Sequence, residues 1–146
     1  MKTIEKSILV LHSAQQMFDL VSAVDRYAEF LPWCSSARIV SLHDDGMTAE
    51  IGMAYGKLTQ SFTTRNTHVE GREIHLKLVK GPFSQLEGTW RFTPVGAEQD
   101  NACKTEFSIA YATENTILGK IIAPFFDKIA ASLVDAFYNR ANSIYD

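Results

Sequence analysis

At 146 residues the chain is long enough for one domain, residues 1–146, that buries about 70% of the surface its unfolded form would expose. The 46% hydrophobic and 21% charged content is globular, and the absence of any run of about eighteen apolar residues or of a charged-then-apolar leader leads us to expect a soluble, cytoplasmic protein. A net charge of −3 gives no global reason to bind nucleic acid, and Cys34 and Cys103, lacking C-x-x-C or Cys/His spacing, suggest two buried thiols rather than a disulfide or zinc site.

Lys2 to Leu11 places Ile4, Ile8 and Val10 on one face and reads as a first strand. Ser13-Ala14-Gln15-Gln16 predicts a capping box opening a short helix with Met17, Leu20 and Val21 inward. Asp25 is the expected cap of a second short helix, which Pro32 ends because the residue before proline avoids helical geometry. Arg38 to Leu42 is extended, Asp44-Asp45-Gly46 predicts a tight hairpin through its Asp-Gly pair, and Met47 to Tyr55 pairs back.

Leu58 to Val69 puts Leu58 and Phe62 on one face, with Lys57, Thr59, Ser61 and Arg65 on the other, and Glu70-Gly71 turns into Ile74, Leu76 and Leu78. After a Gly81-Pro82 corner, Phe83 to Val95 and Ala102 to Thr113 complete a meander, joined by a polar loop from Gly96 to Asn101. From Ile117 the period becomes helical, with Ile117, Ile121, Phe125, Ile129, Leu133, Phe137, Ala141 and Ile144 as the expected stripe. Pro124 predicts a kink in this helix, and Gly119 a weak turn ahead of it. The fold class is therefore α+β: a seven-stranded antiparallel sheet curved around a long C-terminal helix, with two short helices between strands one and two.

A sheet gripping a helix can enclose an apolar cavity. No G-x-S-x-G, H-E-x-x-H or phosphate-binding loop is present, and His12, His43, His68 and His75 share no ligand or triad spacing, so neither catalysis nor a metal is expected. Phe125 and Phe126 point about 100° apart, so one of them is free to face a ligand. Lys80 falls in register with Ile74, Leu76 and Leu78, where its stem would line the cavity and its ammonium reach the mouth. Trp90 and Tyr111 each bring an apolar body and one hydrogen-bonding tip. Tyr27, Phe30 and Trp33 cluster around Pro32 as either a lid or a satellite core.

Val24-Asp25-Arg26-Tyr27, Phe30-Leu31-Pro32-Trp33-Cys34, Lys80-Gly81-Pro82-Phe83, Trp90-Arg91-Phe92, Phe125-Phe126 and Ala136-Phe137-Tyr138-Asn139-Arg140-Ala141 together resemble the coenzyme Q-binding protein family, whose bacterial members include ribosome association toxins. The resemblance runs over essentially the whole chain. It implies the START-related helix-grip (polyketide cyclase-like) fold with a lipid-sized cavity, and two roles. In the first, a non-enzymatic protein binds ubiquinone or another lipid for delivery or use in respiration. Phe62, Leu78, Phe83, Trp90, Phe107, Tyr111, Phe125, Phe126, Ile129 and Leu133 would line the cavity, with Lys80 at its mouth and Tyr27, Phe30 and Trp33 at its entrance. A long isoprenoid tail then calls for an open-ended tunnel or a homodimer sharing it, and for transient contact with the inner membrane. In the second, the chain binds the large ribosomal subunit and blocks subunit association, which would call on a basic outer face built from Lys57, Arg65, Lys77 and Arg91. An enzyme of the cyclase kind is the third and least favoured class.

Overall fold

The computed structural model describes residues 1–96 and 101–145, so the middle of the predicted Gly96 to Asn101 loop lies outside the described residues. Seven strands form one antiparallel sheet: β1 (Lys2–Val10), β2 (Cys34–His43), β3 (Gly46–Tyr55), β4 (Leu58–Val69), β5 (Glu73–Lys80), β6 (Phe83–Pro94) and β7 (Cys103–Thr113), in the spatial order β1-β7-β6-β5-β4-β3-β2. Helix α1 (Ala14–Ser22) and a 3-10 helix (Val24–Glu29) carry the chain from one sheet edge to the other. Helix α2 (Ile117–Ile144) lies against the concave face.

The capping box at α1 forms as expected: Gln16 N–H donates to Ser13 Oγ and Ser13 N–H to Gln16 Oε1, both at 2.9 Å. Such a cap is worth about 1 kcal/mol. Asp25 does not cap the following helix; Ala23 occupies that position without a side-chain bond, and Asp25 sits within the first turn. The β2–β3 turn is Asp44-Asp45, because Gly46 already pairs with His43 as the first residue of β3. Strand β2 is also longer than its alternation indicated, beginning at Cys34.

Register shifts in β2–β3, β4–β5 and β6–β7 insert extra residues that bend the sheet around the helix. At the β5–β6 corner Gly81 has φ 154°, and a Cβ there would lie 2.6 Å from Phe62 Cβ, so only glycine lets the corner close on β4. Gly119 has a similar reason: its Cβ would meet the Glu114 carbonyl oxygen at 1.8 Å, so the residue predicted to weaken the helix is what lets the preceding loop fold onto it. Thr116 caps α2 through its hydroxyl, which accepts from Gly119 N–H at 3.0 Å, and the helix continues unbroken through Pro124. Pro124 and Lys120 are both exposed, so the Lys120 carbonyl that loses its donor faces water.

The helix buries Ile122, Phe126, Ile129, Ala130, Val134, Phe137 and Ala141. The expected stripe therefore holds at Ile129, Phe137 and Ala141 but not at Ile117, Ile121 and Ile144, which are exposed. Phe92, Phe107 and Phe137 are completely enclosed, each contributing about 2–3 kcal/mol by area. Cys34 and Cys103 are both buried, and burial pushes the Cys34 thiol up.

Candidate functional site

Between the concave face and α2 lies an apolar cavity of about 70 Å³. Trp90, Leu86, Phe107 and Ile109 form its floor, Ile51, Phe62 and Leu76 one side, and Phe126, Ile129, Leu133 and Phe137 its roof. Tyr27, Trp33 and Val24 close the end nearest the 3-10 helix. Trp90 stacks on Phe107 at 4.4 Å between ring centroids and meets Phe137 edge-on at 5.2 Å, so the floor is rigid. The interior is largely filled by side chains. The volume holds about two waters, against about 300–1,000 Å³ for an ordinary ligand pocket.

Eight of the predicted residues line this space: Tyr27, Trp33, Phe62, Trp90, Phe107, Phe126, Ile129 and Leu133. Six do not. Phe125 meets Tyr55 in a tilted contact at 4.8 Å on the flank of the helix, packed against the edge of the core, because the core-facing phase of this helix runs through Ile122 and Phe126. Phe30 is wedged between Phe137 and the Arg140 guanidinium, which lies 4.9 Å over its ring. Phe83 and Tyr111 are buried behind the roof, each 4.7 Å from Phe126, and Leu78 packs against the core without reaching the cavity. Lys80 is exposed beside Pro82 and Glu114: Thr63 pairs with Lys80 and Thr64 with Leu78, so Val79 is an extra residue that turns Lys80 off the face shared by Ile74 and Leu76.

The polar tips divide in a way the sequence left open. Tyr111 donates its hydroxyl to Asp127, which also holds Lys2 Nζ at 2.9 Å, so this phenol points away from the cavity. Burial, aided by Asp127, raises the Tyr111 phenol above its ordinary value. Burial pushes the Asp127 carboxyl up, but the bonds from Tyr111 and Lys2 outweigh it and hold the group below the usual carboxylate range. Tyr27 donates to the Val21 carbonyl, and burial of that hydroxyl end, with a smaller push from Cys34, raises it likewise.

Sequence reasoning missed the polar pair in the cavity wall. Thr64 and Asn66 are both buried, and the Thr64 hydroxyl donates to Asn66 Oδ1 at 2.6 Å. Asn66, Thr64 and Trp90 thereby bring polar groups to an otherwise apolar lining. The signal was available: alternation from Phe62 places residues 64 and 66 on its face.

The outer face of the sheet is not a basic stripe. Arg65 pairs with Asp45 at 2.5 Å, Arg91 with Glu73 at 3.3 Å and Lys77 with Glu87 at 3.8 Å, while Lys57 stands apart at the β3–β4 hairpin tip. A wider hollow on this face is lined by Glu5, Lys6, Arg91 and Glu106 and lies open to solvent, without the apolar walls of the interior cavity. Among the described residues no cluster of acids, histidines and cysteines could hold a metal, and no helix is long and apolar enough to cross a membrane.

Residues 10–138 match the family described as polyketide cyclase / dehydrase and lipid transport. The ribosome association toxin RatA of Pseudomonas aeruginosa is 39% identical, covering 97% of this chain and 96% of its own, and that of Escherichia coli is 37% identical over 99% and 90%. A mitochondrial coenzyme Q-binding protein, COQ10 homolog B of Xenopus laevis, is 25% identical over 91% of this chain and 55% of its own. Among solved structures, an 18 kDa protein of Caulobacter crescentus has a TM-score of 0.74 at 29% identity over 99% of both chains. The Streptomyces aromatase/cyclase Zhui reaches 0.80 at 12% identity over 97% of this chain and 93% of its own, a likeness of fold alone.

Proposed function

The chain belongs to the polyketide cyclase / dehydrase and lipid transport family, in the branch shared by ribosome association toxins and coenzyme Q-binding proteins, and from that premise we propose that it binds, without catalysis, the ring of a carbonyl-bearing apolar molecule of the ubiquinone class. The observation that carries this reading is a cavity lined by aromatic and aliphatic side chains in which Thr64, Asn66 and the Trp90 indole are the few groups able to hydrogen-bond a ligand. A small number of polar groups in an apolar pocket fixes the orientation of a ligand by hydrogen bonding. A quinone carbonyl is an acceptor for such groups, and the ring would stack on Trp90 or Trp33. Entry requires the roof side chains to move, since the cavity of about 70 Å³ is smaller than a substituted ring. With its acids and histidines outside this space, the cavity offers shape and hydrogen bonding rather than acid–base chemistry.

Both tryptophans of the chain line the cavity, so a short-tailed ubiquinone analogue should quench intrinsic fluorescence saturably. Trp33→Phe should leave the Trp90 component responsive. Quenching that stays linear with quinone concentration would remove the proposal.

A second reading, action on ribosomes, is favoured by the 39% and 37% identity to proteins named as ribosome association toxins. The paired charges of the outer sheet argue that such binding would use another surface. Cosedimentation with large subunits, retained in Arg65→Glu and Arg91→Glu variants, is the expected result under this reading; loss in both would restore the outer sheet as the contact.

A further inference from the structure

The first ten residues of α2, Ile117 to Phe126, are apolar around nearly the whole circumference of the helix. One side covers the core through Ile122 and Phe126. At about 100° per residue, Ile117, Ile121 and Pro124 fall on the opposite side, where a helix at the surface of a domain normally carries polar groups, and half-buried Phe125 lies on the flank between them and Ile122. Ile117 is 82% exposed and Ile121 46%. Tyr55, 57% exposed at the tip of the β3–β4 hairpin, extends the patch through a tilted contact with Phe125.

Cations frame it. Lys57 stands at the hairpin tip, Lys120 flanks the exposed arc, and Lys128 ends it two turns below Ile121. None of the three has a carboxylate at ion-pair distance among the described residues, in contrast to the paired cations of the outer sheet. Asp127 is engaged by Lys2 and Tyr111, and Glu114 is the facing acid ahead of the helix. A locally cationic, apolar patch on a chain of net charge −3 is complementary to an anionic surface that accepts aliphatic side chains.

We infer that Ile117, Ile121, Pro124, Phe125 and Tyr55, framed by Lys57, Lys120 and Lys128, dock this protein on an anionic lipid bilayer, with the apolar side chains in the headgroup boundary and the lysines at the phosphates. Phe125 and Phe126 are consecutive, so docking sets the bilayer one helix thickness from the cavity roof. The inference stands on surface chemistry and does not require a ligand in the cavity.

The test is flotation of the full chain with vesicles of phosphatidylethanolamine and phosphatidylglycerol, against vesicles of phosphatidylcholine alone. We expect binding to the anionic vesicles that weakens in high salt. A lysine near such a surface is worth on the order of fivefold in partitioning, so Lys57→Glu with Lys120→Glu should lower it by about 25-fold or more. Ile117→Glu with Ile121→Glu should abolish it while leaving the thermal midpoint within a few degrees, both sites being exposed. Leu42→Glu, on the distant β2, is the control that should keep binding. Equal flotation of the wild type and the isoleucine variant would overturn the inference. So would failure to float with anionic vesicles, or a wild-type dimer that the isoleucine variant dissociates, since a second copy would then be what covers the patch.

Discussion

Replacing Thr64 and Asn66 separates a wall built for folding from one built for a ligand. Thr64→Val alone removes the donor to Asn66 Oδ1 and leaves a buried carbonyl unpaired, a loss of about 1–3 kcal/mol. Thr64→Val combined with Asn66→Leu removes both ends of the bond and the Asn66 amide nitrogen, and adds apolar contact with Phe62 and Leu76 in the same wall. The double variant should therefore be as stable as the wild type or more stable by about 1–2 kcal/mol, raising the thermal midpoint by about 2–4 °C per kcal/mol. Quinone affinity should move the opposite way, falling about tenfold as one hydrogen bond of about 1.4 kcal/mol is lost. Urea titrations supply the first number and fluorescence quenching the second. A double variant that is destabilised as much as Thr64→Val, or that binds quinone unchanged, would refute the assignment of Asn66 as a ligand donor.

Phe126→Ala should cost about 3–5 kcal/mol, because the ring contacts Phe62, Phe83 and Tyr111, whereas Phe125→Ala, whose ring leans on exposed Tyr55, should cost about 1 kcal/mol. Urea midpoints at constant slope distinguish the two, and equal losses would mean the helix is rotated from the phase described above. His68 packs edge-on against Phe18 with its Nε2 buried and unpartnered among the described residues; burial lowers its proton affinity, against a weaker opposing push from Glu70. Folding thus favours the neutral ring, so this stabilisation is complete above the ordinary histidine value of about 6.5 and is lost as pH falls through the lower folded value. The stability difference between wild type and His68→Phe should shift toward the variant between pH 7.5 and pH 5.5, by no more than about 1.4 kcal/mol per pH unit, and a pH-independent difference would count against it.

Strand and helix placement was readable because alternation in the meander and the 3.6-residue period after Ile117 are strong signals. Details that depend on a single inserted residue were not. One extra residue at Val79 reverses the face of Lys80, and nothing local distinguishes that from regular alternation. The phase of α2 was ambiguous for a related reason: where residues 117–126 are apolar on every side, periodicity fits Ile121 and Phe125 as well as Ile122 and Phe126. Asp25 satisfied the rule for a cap in a segment that forms a 3-10 helix starting one residue earlier. The Thr64–Asn66 pair is legible only through register with Phe62, which places both inside, because residue type alone gives threonine and asparagine no inward preference. The Tyr27 to Cys34 cluster is mostly satellite core: Leu31 is enclosed with Val24, Cys34, Met47, Ala49 and Ile51, while Tyr27 and Trp33 reach the cavity.

The pairing of the first strand with the last sets an order on synthesis. β1 can find no partner until β7 has been made, because Val10 pairs with Cys103 and Lys2 with Tyr111, while β2 to β6 pair with neighbours that emerge one after another. At about 5–20 residues per second the nascent chain carries an unpaired apolar strand for on the order of ten seconds. Lys2 must then also wait for Asp127 to arrive on the final helix. The domain consequently closes late and at both ends together, so a ribosome stalled anywhere before the last helix would hold an open sheet with β1 as its exposed, aggregation-prone edge.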